Sequence, residues 1–384
     1  MNTPLRTEPP PPPLPGADIA PIASRSRPLS RDVLVTAVGL SALCAELETQ
    51  GIERSRALRP VGLTPAVLDD PDSRISIDQK IAFFQIVQRL GRDPAIGFKA
   101  ARRQRLNDFG ILGFAASAHR TFEEALKFGI AHARICGAVL EHTYRRDADV
   151  GIVSVHDLHG LGEISRLVVE YSLAKMHRLV ELVMERPIRP SRMLLPYGAP
   201  EHADLYARVF DCDVRFDAGA IECAFEASVL ETPCPNASEL SRRMADEPCR
   251  RLLGSLESAE PAIIRSIRAE CLKDAARGLM PASDAIAERL GLSRRTLARR
   301  LAEVGTNWQA IVDDVRGRMA ATFLATTTLT NDEIASRLGY ADASSFGKSF
   351  KRWARASPLE YRRRTAESPA ADPERIFALR PSSR

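Results

Sequence analysis

The apolar positions of this chain fall into a helical rhythm, a short interval of strand rhythm, and then a repeat. Val33, Val35, Val38, Leu40, Leu43 and Leu47 form a stripe closer to helical than to strand spacing, and Gly51 closes it, so the pattern predicts a helix from about 33 to 47. Thr64 opens a short helix through Leu68. Ser76 opens another that ends at Gly91, with Ile81, Phe84, Ile86, Val87 and Leu90 facing inward. A further helix runs from Thr121 to about Ile135, with Phe122, Ala125, Leu126, Phe128, Gly129 and Ala133 at its apolar or small positions. The rhythm then changes. Segments 139–144 and 150–155 have strand character across a turn-like 145–149, which predicts a hairpin. A long helix over about 163–183 follows, then a strand start at 193–195 and a helix near 203–209. Two strand-like pieces, 214–216 and 221–225, flank Asp217-Ala218-Gly219.

Residues 238–256 read as a polar-faced helical connector, and nearly everything from Pro261 to about Arg363 reads as helix. The expected organisation is a Pro-rich tail over 1–30, an α+β regulatory domain over 31–235, a connector over 236–260, an all-α domain over 261–363, and a flexible tail over 364–384. The tail assignments rest on Pro, Ser and Arg content, including a run of prolines from Pro9 to Pro13.

The all-α segment contains a repeat. Ile286-Ala-Glu-Arg-Leu290-Gly291 returns 48 residues later as Ile334-Ala-Ser-Arg-Leu338-Gly339, with only the third position changed. Each copy ends one short helix at a glycine and is followed by a second helix, from Arg294 to Ala302 after the N-cap Ser293, and from Ala343 to about Trp353. This is helix-turn-helix patterning, with units at 283–304 and 331–354. Ile286 with Leu290, and Ile334 with Leu338, are four apart on one helical face. Leu297 and Leu301, matched by Phe346 and Phe350, complete the small cores. Gly291 and Gly339 supply the left-handed backbone of the tight turns. The outer faces of the second helices remain free to read DNA: Arg294, Arg295, Thr296, Arg299 and Arg300 in the first unit, Ser344, Ser345, Lys348 and Lys351 in the second. A rod-like helix over 308–324, roughly 25 Å long at 1.5 Å per residue, separates the units and suits two successive major grooves.

Charge agrees with that reading. The chain of 384 residues has a net charge of +5, but residues 261–363 alone carry +7 and residues 1–260 carry −3. Concentrated positive charge is the footprint of a phosphate-binding surface. Other chemistry is sparse. The seven cysteines are odd in number and form no C-x-x-C pair, against a disulfide framework or a zinc site, and the even spacing of Cys212, Cys223 and Cys234 is coincidence. His156, His159 and His177 read as ordinary polar residues and not as metal ligands. Glu163 and Glu170 share a helix face with Arg166, but no nucleophile or leaving-group acid accompanies them. Glycine-rich phosphate loops are absent, Trp308 and Trp353 fall on apolar helix faces, and no cofactor is expected. No apolar run reaches membrane-spanning length and no apolar leader opens the chain, so a cytoplasmic protein without membrane contact is expected.

The stretch from Ile334 through Gly339-Tyr340, Asp342, Ser344, Phe346, Lys348 and Phe350-Lys351-Arg352-Trp353 to Ser357-Pro358 and Glu360-Tyr361-Arg362 closely resembles the AraC/XylS signature over about residues 262–363. It departs from that signature at Tyr340 and at Ala354-Arg355-Ala356. Further upstream, 62–68, 74–76, Gly110-Ile-Leu-Gly113 and Thr121-Phe-x-Glu-Ala-Leu126 are similar to a subgroup with an arabinose-binding-like regulatory domain, a name that does not establish arabinose as ligand. The resemblance implies a DNA-binding transcription regulator, activator in preference to repressor. Its expected partners are double-stranded promoter DNA, RNA polymerase, an unidentified small-molecule effector and a second copy in a homodimer. The competing expectation is a constitutive architectural DNA-binding protein whose N-terminal domain only dimerises.

Overall fold

The computed structural model describes residues 34–70, 73–256, 261–275 and 279–367. The proline-rich tail and residues 368–384 lie outside the described residues. The chain opens with a strand, β1 (Leu34–Thr36), antiparallel to β2 (Arg74–Ser76) with Val35 opposite Ile75, and only then enters helix α1 (Leu40–Thr49). The helix expected from residue 33 is therefore corrected at its start. Val33 lies outside the described residues; Val35 faces Ile75 across the strand pair, and the helix begins only at Leu40.

Helix α2 (Arg54–Leu58) and a 3-10 turn at Pro65–Leu68 lead back to β2 and α3 (Ile77–Leu90). A reciprocal capping box starts α3: Gln79 N donates to Ser76 Oγ at 3.0 Å, and Ser76 N donates to Gln79 Oε1 at 3.1 Å. Helices α4 (Ile96–Arg103) and α5 (Gly110–Ser117) follow, neither of them expected from the pattern. The α5 sequence is GILGFAAS, which is apolar or small nearly all round and shows no single stripe. Helix α6 (Phe122–Ala131) is capped by Thr121 and gives way to a 3-10 turn at Ala133–Cys136, earlier than expected.

The hairpin of β3 (Glu141–Asp147) and β4 (Val150–His156) precedes the 20-residue α7 (Ser165–Met184). Then come β5 (Arg192–Leu194), α8 (Asp204–Phe210), β6 (Asp213–Arg215), β7 (Ile221–Glu226) and α9 (Ala227–Leu230). The strand order is β3-β4-β7-β5-β6, antiparallel except for the β5–β6 pair. The pieces flanking Asp217-Ala218-Gly219 are thus not neighbours, because β5 lies between them. The N-terminal core fills the space between this sheet and the helices, with Val153, Met193, Tyr206, Phe83 and Leu43 fully enclosed. Its aromatic centre sets Phe98 edge-on to Tyr206, with centroids 4.9 Å apart. Among the described residues, this α+β unit is followed by helices only.

Helix α10 (Glu239–Leu256) lies on the N-terminal unit. Ala245, Cys249 and Leu256 are buried against Phe109, Leu112, Ala115, Ile135 and Cys136. Beyond it, α11 (Ala262–Ala275), α12 (Ser283–Arg289), α13 (Arg294–Glu303), α14 (Trp308–Thr326), α15 (Asn331–Arg337), α16 (Ala343–Ala354) and α17 (Pro358–Glu367) pack around a second core. One residue of the N-terminal unit, Leu158, belongs to that second core. It sits in the loop after β4, where the buried Asp157 carboxylate accepts the main-chain N–H groups of His159, Gly160 and Leu161 at 2.9, 2.9 and 2.8 Å. From α14, Arg318 Nη1 donates to the Leu158 carbonyl at 2.6 Å, and Thr322 Oγ1 donates to the Asp157 carbonyl at 3.2 Å. Arg318 is itself oriented by the buried Asp314 at 2.9 Å, which also faces Arg268 of α11 at 3.4 Å. The loop is thereby seated against the middle of the helix that separates the two repeats.

Candidate nucleic-acid interface

In the first repeat, Ile286 is wholly buried in the middle of α12, and Leu297 and Leu301 of α13 share its core. Leu290 is half-buried at the edge of the same cluster. Gly291 takes φ 65°, which lets the chain turn sharply into α13. Ser293 caps α13, with Thr296 N donating to its Oγ at 3.1 Å. In the second repeat, Ile334, Leu338, Phe346 and Phe350 are wholly buried and Gly339 takes φ 71°. Asp342 caps α16, with Ser345 N donating to its Oδ1 at 2.6 Å.

These cores turn one face of each second helix outward. On α13, Arg294, Arg295, Arg299 and Arg300 are exposed, and on α16, Ser344, Lys348 and Lys351 are exposed. Their states differ. Arg294 lies 3.3 Å from Asp284, and Arg299 is held at 2.7 Å by Glu303 one turn further along α13. Arg295, Arg300, Lys348 and Lys351 have no hydrogen bond or ion pair among the described residues. Two of the expected contacts are less available. Thr296 and Ser345 are half-buried, and their hydroxyls are engaged by the cap side chains, Ser293 at 2.8 Å and Asp342 at 3.2 Å. An N-terminal hydroxyl two or three residues beyond a cap is drawn into the capping network, a competition that spacing alone does not reveal.

Helix α14 holds the two units apart. Its 19 residues span about 28 Å at 1.5 Å per residue. The second unit is fastened to it: Arg316 Nε donates to the Leu338 carbonyl at 3.0 Å, and its guanidinium lies 4.8 Å from the Tyr340 ring centre. From α17, Arg362 donates to the Thr327 and Leu329 carbonyls. Arg289 ties the first unit to Glu270 and Asp274 of α11 at 3.3 and 2.8 Å. These braces carry no motif of their own. Trp308 and Trp353 are half-buried against the same core rather than presented outward.

The other groups singled out above lie elsewhere. His156 is buried, its Nε2 3.1 Å from Thr143 Oγ1, and burial pushes it down to about 4, so the ring is neutral. His177 lies 3.6 Å from Glu181. Glu170 is buried and receives hydrogen bonds from Tyr206 at 2.5 Å and His202 at 2.9 Å, and desolvation raises its pKa against them. Glu163 takes no part in that cluster. Among the described residues no group of three His, Cys, Asp or Glu side chains is arranged to hold a metal ion, and no helix is long and apolar enough to cross a membrane.

Comparison with known proteins places both halves. Residues 51–234 match the arabinose-binding domain of AraC transcription regulators, and residues 286–364 match a helix-turn-helix domain. The ornithine utilization regulator of Pseudomonas aeruginosa is 29% identical over 329 residues, covering 86% of this chain and 96% of that protein. The transcriptional regulator VirS of Mycobacterium tuberculosis is 27% identical over 350 residues, covering 86% and 96%. Among solved structures, the regulator CdpR from Pseudomonas aeruginosa covers 84% of this chain and 97% of its own at 24% identity, with a TM-score of 0.42. With an α+β domain of the arabinose-binding type joined to a helical domain carrying two helix-turn-helix units, the chain belongs to the AraC/XylS family and is a transcriptional regulator.

Proposed function

We propose that this chain is a cytoplasmic, sequence-specific activator that inserts α13 and α16 into two successive major grooves under the control of a small effector bound by the N-terminal domain. The observation that carries the reading is the pair of exposed cationic faces, Arg294, Arg295, Arg299 and Arg300 on α13 and Lys348 and Lys351 on α16, set on two turns of like geometry at either end of α14. In this reading Ser344 bonds a phosphate or a base edge, and Thr296 and Ser345 serve their helix caps first. The seating of the 157–161 loop on α14 supports effector control, because a shift in the sensing domain bears directly on the helix that spaces the two readers. RNA polymerase and a second copy of the chain are the further partners of this reading.

Footprinting of the full chain on DNA selected from a random pool tests it. The expected result is two protected patches on one face of the duplex, about 34 Å apart from centre to centre. A single patch, or protection indifferent to sequence, contradicts it.

A further inference from the structure

The N-terminal domain contains a cavity between α5, α6 and α7, floored by the turn at 133–136. It holds about 700 Å³ of space free of protein atoms, mouth included, of which about 80 Å³ admits the centre of a water-sized molecule. Its walls are apolar, with Phe109, Phe122, Leu126 and Leu179 among them. Among the described residues only His142, Ser172 and Lys175 bring side-chain nitrogen or oxygen to it, and no carboxylate lines it.

Lys175 is the unusual member. It is buried, and its ammonium donates to the Cys136 carbonyl at 2.7 Å and lies 5.5 Å from the centre of the Tyr171 ring. No acidic side chain pairs with it among the described residues. A second buried lysine, Lys80, stands behind the same turn and is spent on main chain, donating to the Thr36 and Val38 carbonyls at 3.3 and 2.9 Å. Burial holds both lysines below their ordinary pKa, each without an anion to offset the loss of water. Beside Lys175, His142 is neutral, pushed down to about 4 by burial. Its Nδ1 is enclosed without a well-aligned hydrogen bond, with the Leu140 carbonyl the one backbone group acting on it.

We propose that this cavity binds a small carboxylic acid with an apolar body, its carboxylate received by Lys175 and His142 and its body by the Phe122–Leu126 and Leu179 walls. The inference rests on the effector reading above and gives it a site and a ligand class. A carboxylate supplies the counter-charge that Lys175 lacks, and in a dry site such a charge-assisted hydrogen bond is strong. An amine, or a diamino acid, brings positive charge to a cavity that already holds Lys175. The site also reaches the rest of the molecule, since Phe109, Leu112 and Cys136 line it and at the same time form the seat of α10, which leads to the DNA-binding domain.

Titration calorimetry on the full chain with hexanoate, phenylacetate, hexan-1-ol, hexylamine and ornithine tests the assignment. The carboxylates bind; hexylamine and ornithine do not. Lys175→Met weakens the carboxylates by about tenfold or more and leaves hexan-1-ol unchanged. Gly129→Leu gives an independent arm. A Cβ there would meet nothing within 4 Å and the position is helical, so the variant folds while its side chain fills the cavity, and binding of acid and alcohol is lost together. Amine or ornithine binding as tight as that of the acids overturns the proposal. So does unchanged acid affinity in either variant, or no carboxylate binding tighter than about 1 mM. Affinity for a selected operator, measured with and without hexanoate, separates the two readings. Acid binding that leaves operator affinity unmoved keeps the site and removes its regulatory role. Operator binding without any acid binding removes the site and leaves the DNA-binding reading intact.

Discussion

The two helix-turn-helix units share a hexapeptide repeat and are built to different standards. The first has an aliphatic core, Ile286 with Leu297 and Leu301, and its α12 begins at Ala282 with no side-chain cap. The second has an aromatic core in which Phe346 packs tilted against Phe350 and Phe350 packs edge-on against Tyr361, with centroids 5.7 and 5.3 Å apart. Its α15 begins with a capping box: Glu333 N donates to Thr330 Oγ1 at 3.3 Å, and Thr330 N donates to Glu333 Oε2 at 2.7 Å. Arg316 and Arg362 then clamp its ends. The arginine-rich face sits on the more lightly built unit, and the firmly built unit presents lysines and serine. Arginine reads guanine through two parallel bonds, whereas lysine suits phosphate as a point charge. Under the function proposed above, α13 then reads bases and α16 anchors on the backbone.

The largest expected effects come from the cores. Phe350→Ala should cost about 3–5 kcal/mol and Leu297→Ala about 2–5 kcal/mol, because each leaves a cavity in a closed core. Both tryptophans of the chain lie in the DNA-binding half, so their fluorescence follows that half alone during denaturant unfolding. Equal stability of wild type and Phe350→Ala would break the contrast between the two cores. Next in size is Arg295→Ala, which should cost roughly 1–3 kcal/mol in operator affinity and flatten the preference at one base pair, as measured by binding titrations on operator variants.

The caps come third. Thr330→Ala should lower stability by about 1 kcal/mol, while Ala282→Ser should raise it by on the order of 0.5–1 kcal/mol, since α15 has a side-chain cap to lose and α12 has none. A loss on placing serine at position 282 would show that the α12 terminus is satisfied in some other way. Smallest is Lys348→Ala, which should weaken all DNA sequences alike and reduce the slope of log K against log salt by about 1. An unchanged slope would take Lys348 off the phosphate backbone.

Much of this was legible in the sequence because local rules decide it. Gly291 and Gly339, the cap Ser293 and the four-residue apolar spacings act within one or two helical turns, and the α12–α13 and α15–α16 pairs form where the repeat implies. The errors lie where long-range contacts decide. Val35 reads as helix until Arg74–Ser76 supplies a partner strand, and β5 enters between β6 and β7 from elsewhere in the chain. The joint at Asp157–Leu161 has no motif, since its meaning comes from Arg318 and Thr322, some 160 residues away. Lys175 did leave a trace: Ser172, Lys175, Met176, Leu179 and Val183 follow helical spacing, which places a cation on an apolar face. A charged residue inside such a stripe is the signal that could have pointed to the cavity.

The proposed division of labour between α13 and α16 is tested most directly by selecting binding sites from random DNA with three full-length proteins: wild type, Arg295→Ala and Lys348→Ala. Lys348→Ala should recover the wild-type motif at lower affinity, while Arg295→Ala should lose its preference at one position. A wild-type motif from Arg295→Ala, together with a degraded motif from Lys348→Ala, would contradict it.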